Sequence, residues 1–272
     1  MRRRPHVKVS QETLDQVLAI ALGAGEKILG IYESDIAVTT KDDDSPLTQA
    51  DLAAHHHIVA GLQALAPEIP VLSEEAADIP YATRRQWSRY WLVDPLDGTK
   101  EFIKRNGEFT VNIALVDNGV AVLGVVHGPV LKTSWIAAQG LGAWRLENGQ
   151  KTAIRTRKSP ARPALVVSKS HRDAALESFL EKMPEHDAVS RGSSLKFCLV
   201  ADGVADLYPR TGPTSEWDTA AGQCVAEQAG AQVLVMPGLQ PLRYNQKESL
   251  LNPLFVVIGD PAAGWAERLP KA

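Results

Sequence analysis

The chain has 272 residues, of which 44% are hydrophobic and 22% charged, which supports a sizeable core and excludes a largely disordered protein. Its formal net charge of -3 argues against a nucleic-acid polymer as a partner, and no apolar run reaches the ~20 residues of a transmembrane segment. Cys198 and Cys224 lie in apolar helical patterns. They predict buried free thiols and a reducing, cytoplasmic location.

The first predicted helix follows a basic N-terminal stretch, residues 1–5. No apolar signal-peptide core follows this stretch, so we interpret it as a solvated tail, with peripheral contact at the cytoplasmic face of a membrane as the alternative. Ser10 is a good N-cap for a helix that ends near residues 30–32. We expect one broad apolar face, formed by Leu14, Val17, Leu18, Ala21 and Leu22.

A second helix is predicted after the polar loop at residues 41–46. Thr48 and Asp51 have the spacing of a capping box, so Asp51 can be explained as a helix cap alone. Three consecutive histidines, residues 55–57, follow on this helix. Because neighbouring helical residues point about 100° apart, we do not expect the histidines to share a metal ion.

Two strand ends carry acidic pairs. An apolar strand at residues 71–73 runs into Glu74 and Glu75, a pair that by itself is typical of a solvated surface. The apolar run from Trp91 ends in Asp94 and Asp97, with Pro95 stiffening the turn and Gly98 allowing close approach to a ligand. Such a stretch predicts a site for a hard cation, and the backbone amides after it suit a phosphate.

The remaining pattern changes along the chain. Predicted strands from residue 109 to 154, joined by Asn-Gly turns at 118–119 and 148–149, indicate antiparallel sheet. After a basic, proline-containing stretch at 155–163, strands alternate with helices. We therefore predict two parts, an N-terminal α+β part, residues 1–157, and a C-terminal α/β part, residues 158–272.

Asp218 begins a small-residue helix predicted at 217–229, where an acidic N-terminal cap is one explanation. A second explanation is that Asp218 lies together with the acids that follow the two strand ends. Burying Glu74, Asp94, Asp97 and Asp218 together without cations costs several kcal/mol. A ligand set made only of oxygen favours Mg²⁺ over Zn²⁺, and paired cations suit attack of water on a phosphate.

These motifs, in this order, resemble those of the magnesium-dependent, lithium-sensitive inositol monophosphatase superfamily: Ser73-Glu-Glu, Asp94-Pro-Leu-Asp-Gly-Thr and Trp217-Asp-x-Ala-Ala-Gly. Residues 100–102, 106–113, 168–171 and 192–198 are similar to its bacterial 3'(2'),5'-bisphosphate nucleotidase branch. The resemblance covers nearly the whole chain. It implies the α+β fold of the sugar phosphatases, a layered αβαβα sandwich, with the active site between the two parts.

The resemblance also implies roles for individual residues. Two or three Mg²⁺ ions would be held by Glu74, Asp94, the Leu96 carbonyl, Asp97 and Asp218. Water would be activated by Asp51 and Thr99, with Glu75 in support. Substrate would contact all of these metal ligands except Asp94, and the backbone amides of Gly98 and Thr99. It would also contact a set of residues that extends to the nucleotide: Lys100, Ser168, His171, Gly192, Lys196 and Arg210. Most metal ligands would thus lie in the N-terminal part, and Asp218 and the nucleotide-binding residues in the C-terminal part.

The implied activity is hydrolysis of the 3'-phosphate of adenosine 3',5'-bisphosphate to give AMP and phosphate, with 3'-phosphoadenylyl sulfate as a further substrate, in support of sulfate assimilation. An inositol or sugar monophosphatase of the same superfamily is the alternative. A non-catalytic nucleotide or metal sensor represents a different class of function. The sequence has no long heptad pattern, and we expect a monomer.

Overall fold

The computed structural model describes residues 9–32, 38–40, 46–168 and 174–269, with backbone alone at 38–40, 46–48 and 168. Its helices are α1 (Gln11–Tyr32), α2 (Gln49–Leu65), α3 (Tyr81–Arg84), α4 (Thr99–Ile103), α5 (Ala174–Glu181), α6 (Leu195–Ala201), α7 (Ala220–Gln228) and α8 (Trp265–Arg268). Its strands are β1 (Val38–Thr40), β2 (Pro46–Thr48), β3 (Val71–Ser73), β4 (Arg89–Asp97), β5 (Thr110–Asp117), β6 (Val120–Gly128), β7 (Thr133–Ala138), β8 (Gly142–Glu147), β9 (Gln150–Ala153), β10 (Ala164–Ser168), β11 (Asp187–Arg191), β12 (Leu207–Arg210), β13 (Gln232–Val235) and β14 (Phe255–Ile258).

Helix α1 begins and ends where the sequence predicts. The Thr13 amide donates to the Ser10 hydroxyl at 3.1 Å, which satisfies one free N–H of the first turn. Leu14 and Val17 are fully buried. Leu22 is 41% exposed, so its assignment to the apolar face was wrong: it lies at the edge of the face that contacts the sheet.

Strands β3 to β9 form a seven-stranded sheet in sequence order. Strand β3 is parallel to β4, and every other neighbouring pair is antiparallel. The β5–β6 turn has positive φ at Asn118 (49°) and Gly119 (80°), as a tight two-residue hairpin requires. Asn148 and Gly149 have the same left-handed conformation between β8 and β9, so both predicted hairpin turns are confirmed.

A second sheet has five strands in the order β11-β10-β12-β14-β13. Strand β10 is parallel to both β11 and β12, whereas β14 is antiparallel to β12 and β13. Residues 154–163 connect the two sheets. This connection matches the stretch where the sequence pattern changes, and the division into two domains stays a prediction.

Alternation of side chains along β4 shows how the layers stack. Trp91 and Val93 pack in a core with α1 and α2, and Tyr90 and Leu92 pack in a core with α6 and α7. The second sheet contacts α6 and α7 through one face and α5 and α8 through the other. The described elements therefore form five layers, helix–sheet–helix–sheet–helix, which confirms the predicted αβαβα sandwich.

The helix predicted at 217–229 is two elements. A 3-10 turn, Glu216–Asp218, precedes α7, and Thr219 between them has φ of -121°. The Ser215 amide donates to Asp218 Oδ2 at 2.8 Å, so a local capping bond competes with helix geometry at this point. The small residues of α7 do allow close packing. A Cβ at Gly222 would lie 2.7 Å from the Phe197 ring.

Within the described residues, no helix has both the length and the apolar character that a membrane span requires. Cys198 and Cys224 are buried free thiols, as predicted.

Candidate active site

The C-terminal end of β4 carries two of the predicted acidic ligands. Pairing with β5 is interrupted between Asp94 and Asp97, which turns both carboxylates towards one region. The Leu96 amide donates to Asp94 Oδ1 at 3.1 Å and fixes that side chain. Gly98 then adopts φ of 97°, a left-handed conformation that favours glycine, and α4 begins at Thr99.

Three other elements bring acids to this strand end. Because β3 runs parallel to β4 with Ser73 opposite Val93, Glu74 follows at the level of Asp94. Helix α2 supplies the fully buried Asp51, whose Oδ2 accepts a hydrogen bond from Thr99 Oγ1 at 3.3 Å. The predicted pairing of Asp51 with Thr99 is therefore present as a direct contact.

Asp218 arrives from the second half of the chain. One carboxylate oxygen from each of Asp94, Asp97 and Asp218 lies within 4.8 Å of the others. Burial, followed by the charges of Glu74 and Asp97, raises the pKa of Asp94 well above its usual range. Burial and the charge of Asp97 likewise raise the pKa of Asp218 to about 8. The cluster is thus an electrostatically costly arrangement without a cation.

The donor set fits a hard divalent cation. All side chains of the cluster that could bind a metal are carboxylates. Their mutual repulsion is unfavourable, and a bound cation would remove it. The backbone carbonyl of Leu96, a further predicted ligand, lies at the same strand end and accepts a 3.5 Å contact from Thr99 Oγ1.

A cleft of about 340 Å³ is lined by both acidic and basic side chains. Gly98, Thr99 and Asp218 line it, and so do the cations Lys196 and Arg210. The Lys196 ammonium lies 5.7 Å from the Tyr208 ring centroid and donates to the Ser193 carbonyl at 2.5 Å. Burial lowers the pKa of Lys196 to about 8.

The other predicted residues lie at different distances from this cleft. Gly192 and Lys100 also line it, and the Lys100 side chain is exposed. Glu75 follows Glu74 in a 3-10 turn, and its charge acts on His55 of α2. Of Ser168 only the backbone is described, and His171 lies outside the described residues, as does most of the polar loop at 41–46.

Several polar residues of the site carried no predicted role. Ser193, Ser194 and Asn112 contact the carboxylate of Asp97, and Glu108 Oε2 accepts the Gly192 amide at 2.9 Å. Their signal in the sequence was indirect: they lie in the two stretches, 106–113 and 192–198, that distinguish the nucleotidase branch.

Fold and site together define a layered α+β protein with an acidic cluster at a cleft that also contains cationic side chains. The chain belongs to the inositol monophosphatase family, whose model matches residues 10–260. It is 56% identical to the 3'(2'),5'-bisphosphate nucleotidase CysQ of Shigella flexneri over 248 residues, which cover 90% of this chain and 98% of that protein. The Escherichia coli K12 protein of the same name is 55% identical with the same coverage.

Solved structures agree. The crystal structure of CysQ from Bacteroides thetaiotaomicron, described as a bacterial member of the inositol monophosphatase family, matches with a TM-score of 0.80 and 45% identity over 92% of this chain and 97% of that one. An IMPase from Thermotoga maritima shares the fold, with a TM-score of 0.76 at 24% identity over 95% of each chain. These comparisons confirm the predicted family, branch and fold.

Proposed function

We propose that this chain is a magnesium-dependent 3'(2'),5'-bisphosphate nucleotidase that converts adenosine 3',5'-bisphosphate to AMP and phosphate. The observation that carries the proposal is one cleft lined both by Asp97 and Asp218 of the acidic cluster and by the cations Lys196 and Arg210. A substrate with two phosphates matches a cleft that offers a metal-binding cluster and separate cationic side chains. Identity of 56% to a nucleotidase of that name over nearly its whole length supports the assignment.

The metal-binding residues in this proposal are Glu74, Asp94, the Leu96 carbonyl, Asp97 and Asp218. When bound, two or three Mg²⁺ ions neutralise charge on the 3'-phosphate and lower the pKa of water. The residues themselves supply an all-oxygen cluster in which burial and the neighbouring acids raise the pKa of Asp94 and of Asp218, as a site for a cation would. Gly98 and Thr99, at the start of α4, offer backbone amides to the phosphate oxygens.

The proposed water-activating pair is Asp51 and Thr99. In the observed contact, Thr99 Oγ1 donates to Asp51 Oδ2 at 3.3 Å, so the threonine oxygen keeps its lone pairs for a proton of the attacking water. Asp51 then receives the threonine proton. Glu75 supports the water from the turn that follows β3.

Lys196 and Arg210 are proposed to bind the second, 5'-phosphate. Both are cations of the cleft, and the charge of Arg210 adds to burial in lowering the pKa of Lys196. A phosphate dianion placed between them reverses that repulsion and favours the ammonium form. Lys100, Ser168, His171 and Gly192 complete the proposed substrate contacts.

The proposal extends to 3'-phosphoadenylyl sulfate as a second substrate, because its sulfated 5'-phosphate presents similar anionic oxygens to the same cations. Removal of these nucleotides supports sulfate assimilation. We further propose a cytoplasmic monomer, in keeping with its two buried free thiols.

Phosphate release from a substrate panel tests the proposal. With Mg²⁺, kcat/KM for adenosine 3',5'-bisphosphate should exceed that for adenosine 3'-monophosphate and for inositol 1-phosphate, and omission of Mg²⁺ should abolish turnover. Arg210→Gln should reduce the preference for the bisphosphate over the 3'-monophosphate by about 10- to 100-fold, the value of a charge-assisted contact. Faster turnover of inositol 1-phosphate would instead identify an inositol monophosphatase.

A further inference from the structure

One oxygen of Asp97 is held by two consecutive serines from the other half of the chain. Asp97 Oδ2 accepts from Ser193 Oγ at 2.7 Å, from the Ser194 amide at 2.7 Å and from Ser194 Oγ at 2.8 Å. Asn112 Nδ2 approaches the same oxygen at 3.4 Å. So many donors on one oxygen fix the carboxylate in one orientation and leave Oδ1 available to the acidic cluster.

The Ser194 hydroxyl also contacts a second acidic residue of the cluster. Its Oγ lies 2.7 Å from the backbone carbonyl oxygen of Asp218 and accepts from Asn112 Nδ2 at 2.8 Å. A hydroxyl has one proton, and both Asp97 Oδ2 and the Asp218 carbonyl oxygen lie within hydrogen-bond distance of Ser194 Oγ to accept it. Ser194 therefore contacts Asp97 through its amide and hydroxyl, and it contacts Asp218 through the same hydroxyl.

The backbone around Ser194 is itself constrained. Ser193 has φ of 53°, a left-handed conformation that costs a non-glycine residue about 1–2 kcal/mol. Its hydroxyl is 2.5 Å from Thr110 Oγ1 on β5, and the Gly192 amide donates to Glu108 in the segment before β5, so two contacts hold the turn. A strained backbone at this position brings the Ser194 amide onto Asp97.

We propose that Ser194 is a positioning residue that holds Asp97 and Asp218 at the spacing needed for metal binding. The two acids come from different halves of the chain, and each is linked to the same 2% exposed serine. This inference rests on the metal site of the proposed function. It does not depend on which phosphate ester is the substrate.

A purely structural role makes a different prediction. If the hydroxyl only satisfies Asn112 and the Asp218 carbonyl, its loss costs about 1–3 kcal/mol of folding stability and leaves the folded protein with normal metal affinity. If it positions the acids, the folded variant binds Mg²⁺ more weakly, because loss of such an outer contact typically costs about 10- to 100-fold in affinity.

The test is calorimetric titration of Mg²⁺ into folded protein below its unfolding temperature. We expect Ser194→Ala to raise the Mg²⁺ dissociation constant by about 10- to 100-fold. Ser134→Ala is the matched control: Ser134 is a 3% exposed serine whose hydroxyl contacts His127 on β6, and it lies on β7, three strands from β4. This control should bind Mg²⁺ like the wild type.

A second pair of variants keeps the test informative if Ser194→Ala does not fold. Ser194→Thr and Ser194→Val add side chains of equal shape, and only threonine keeps the hydroxyl. The threonine variant should bind Mg²⁺ at least about 10-fold more tightly than the valine variant. Equal affinities in this pair, with normal Mg²⁺ binding by the wild type, overturn the role of Ser194 alone. Absence of Mg²⁺ binding by the wild type overturns the metal site and this inference together, whereas failure to hydrolyse the bisphosphate affects neither measurement.

Discussion

Asp94, a ligand of the proposed metal site, illustrates a conflict between folding stability and metal binding at the level of one side chain. It is 1% exposed, and burial together with nearby acids raises its pKa. A raised carboxyl pKa means that the metal-free folded state binds more protons than the unfolded state, so its stability falls as pH rises above the ordinary carboxyl pKa. The acid is therefore retained at a cost to the metal-free protein.

Asp94→Asn should separate these two effects. We expect phosphate release to fall by more than about 100-fold, the upper range for losing even an outer-shell partner. The melting temperature in EDTA should rise at pH 7, since the amide carries no charge and its oxygen still accepts the Leu96 amide. Asp117→Asn is the control, because Asp117 pairs with Arg89 at the far end of β4. That variant should keep its activity.

His127 makes a second prediction at this scale. Burial lowers its pKa to about 4, and its Nδ1 contacts Ser134 Oγ at 2.9 Å. A lowered histidine pKa means that the unfolded state binds more protons between the two pKa values, so the stability contribution is present above pH 6.5 and is lost as pH falls towards 4. The loss is on the order of 3 kcal/mol.

His127→Gln should remove this pH-dependent contribution to the free energy of unfolding. Chemical denaturation of wild type and variant at pH 7 and pH 4.5 measures it: the wild type should lose more unfolding free energy on acidification. Equal losses for the two proteins would show that His127 does not titrate differently on folding.

The sequence could identify the acids of the site but not their partners. Asp94 and Asp97 interrupt an apolar strand, and the sequence alone shows such an interruption. The bonds from Ser194 to Asp97 and to Asp218 connect residues far apart in the chain, and serine in a Gly-Ser-Ser turn is equally typical of an ordinary loop. Only the fold gives it two acidic partners.

At the level of elements, the Asn-Gly motifs predicted both hairpins, and the helix pattern placed the start of α1 correctly but not that of α7. The Asn-Gly turns determine the ends of β5, β6, β8 and β9 because few other sequences adopt two positive φ values. The start of α7 was predicted three residues too early. The hydrogen bond from the Ser215 amide to the Asp218 carboxylate stabilises a separate 3-10 turn, and α7 begins only after that turn. Such a hydrogen bond between a side chain and the backbone competes with helix formation, and the periodicity of apolar residues does not reveal it.

Close packing of α6 against α7 gives a prediction for Gly222. A Cβ there would lie 2.7 Å from the Phe197 ring, which is itself buried, so Gly222→Ala should cost about 1–3 kcal/mol of unfolding free energy. Lys196 lies on α6, and α7 follows Asp218 closely, so kcat/KM should fall as well. Urea denaturation and phosphate release measure the two effects.

Gly30 supplies the control for the same substitution. It lies near the end of α1 with no atom within 4 Å of an added Cβ. Gly30→Ala should therefore raise stability, by up to about 1 kcal/mol, through helix propensity alone. A stabilising effect of Gly222→Ala would contradict the packing argument.

Across the whole molecule, the acidic cluster lies where the two halves of the chain meet. Asp94 and Asp97 end a strand of the seven-stranded sheet, and Asp218 belongs to the second half. Other contacts join the halves away from the site, such as the 2.9 Å bond from Trp135 Nε1 to Asp202. The repulsion among the acids opposes this joining until a cation is bound.

Mg²⁺ should accordingly stabilise the whole chain. At a free concentration about 100 times its dissociation constant, a ligand that binds only the folded state adds about 2.7 kcal/mol. For a chain of this size that corresponds to a rise in melting temperature of roughly 5–10 °C. Thermal unfolding with increasing MgCl₂, at ionic strength held constant with NaCl, measures the rise. Asp94→Asn should abolish most of it and Asp117→Asn should preserve it, because only Asp94 belongs to the cluster. An equal rise in both variants would place the stabilising ions elsewhere on the protein.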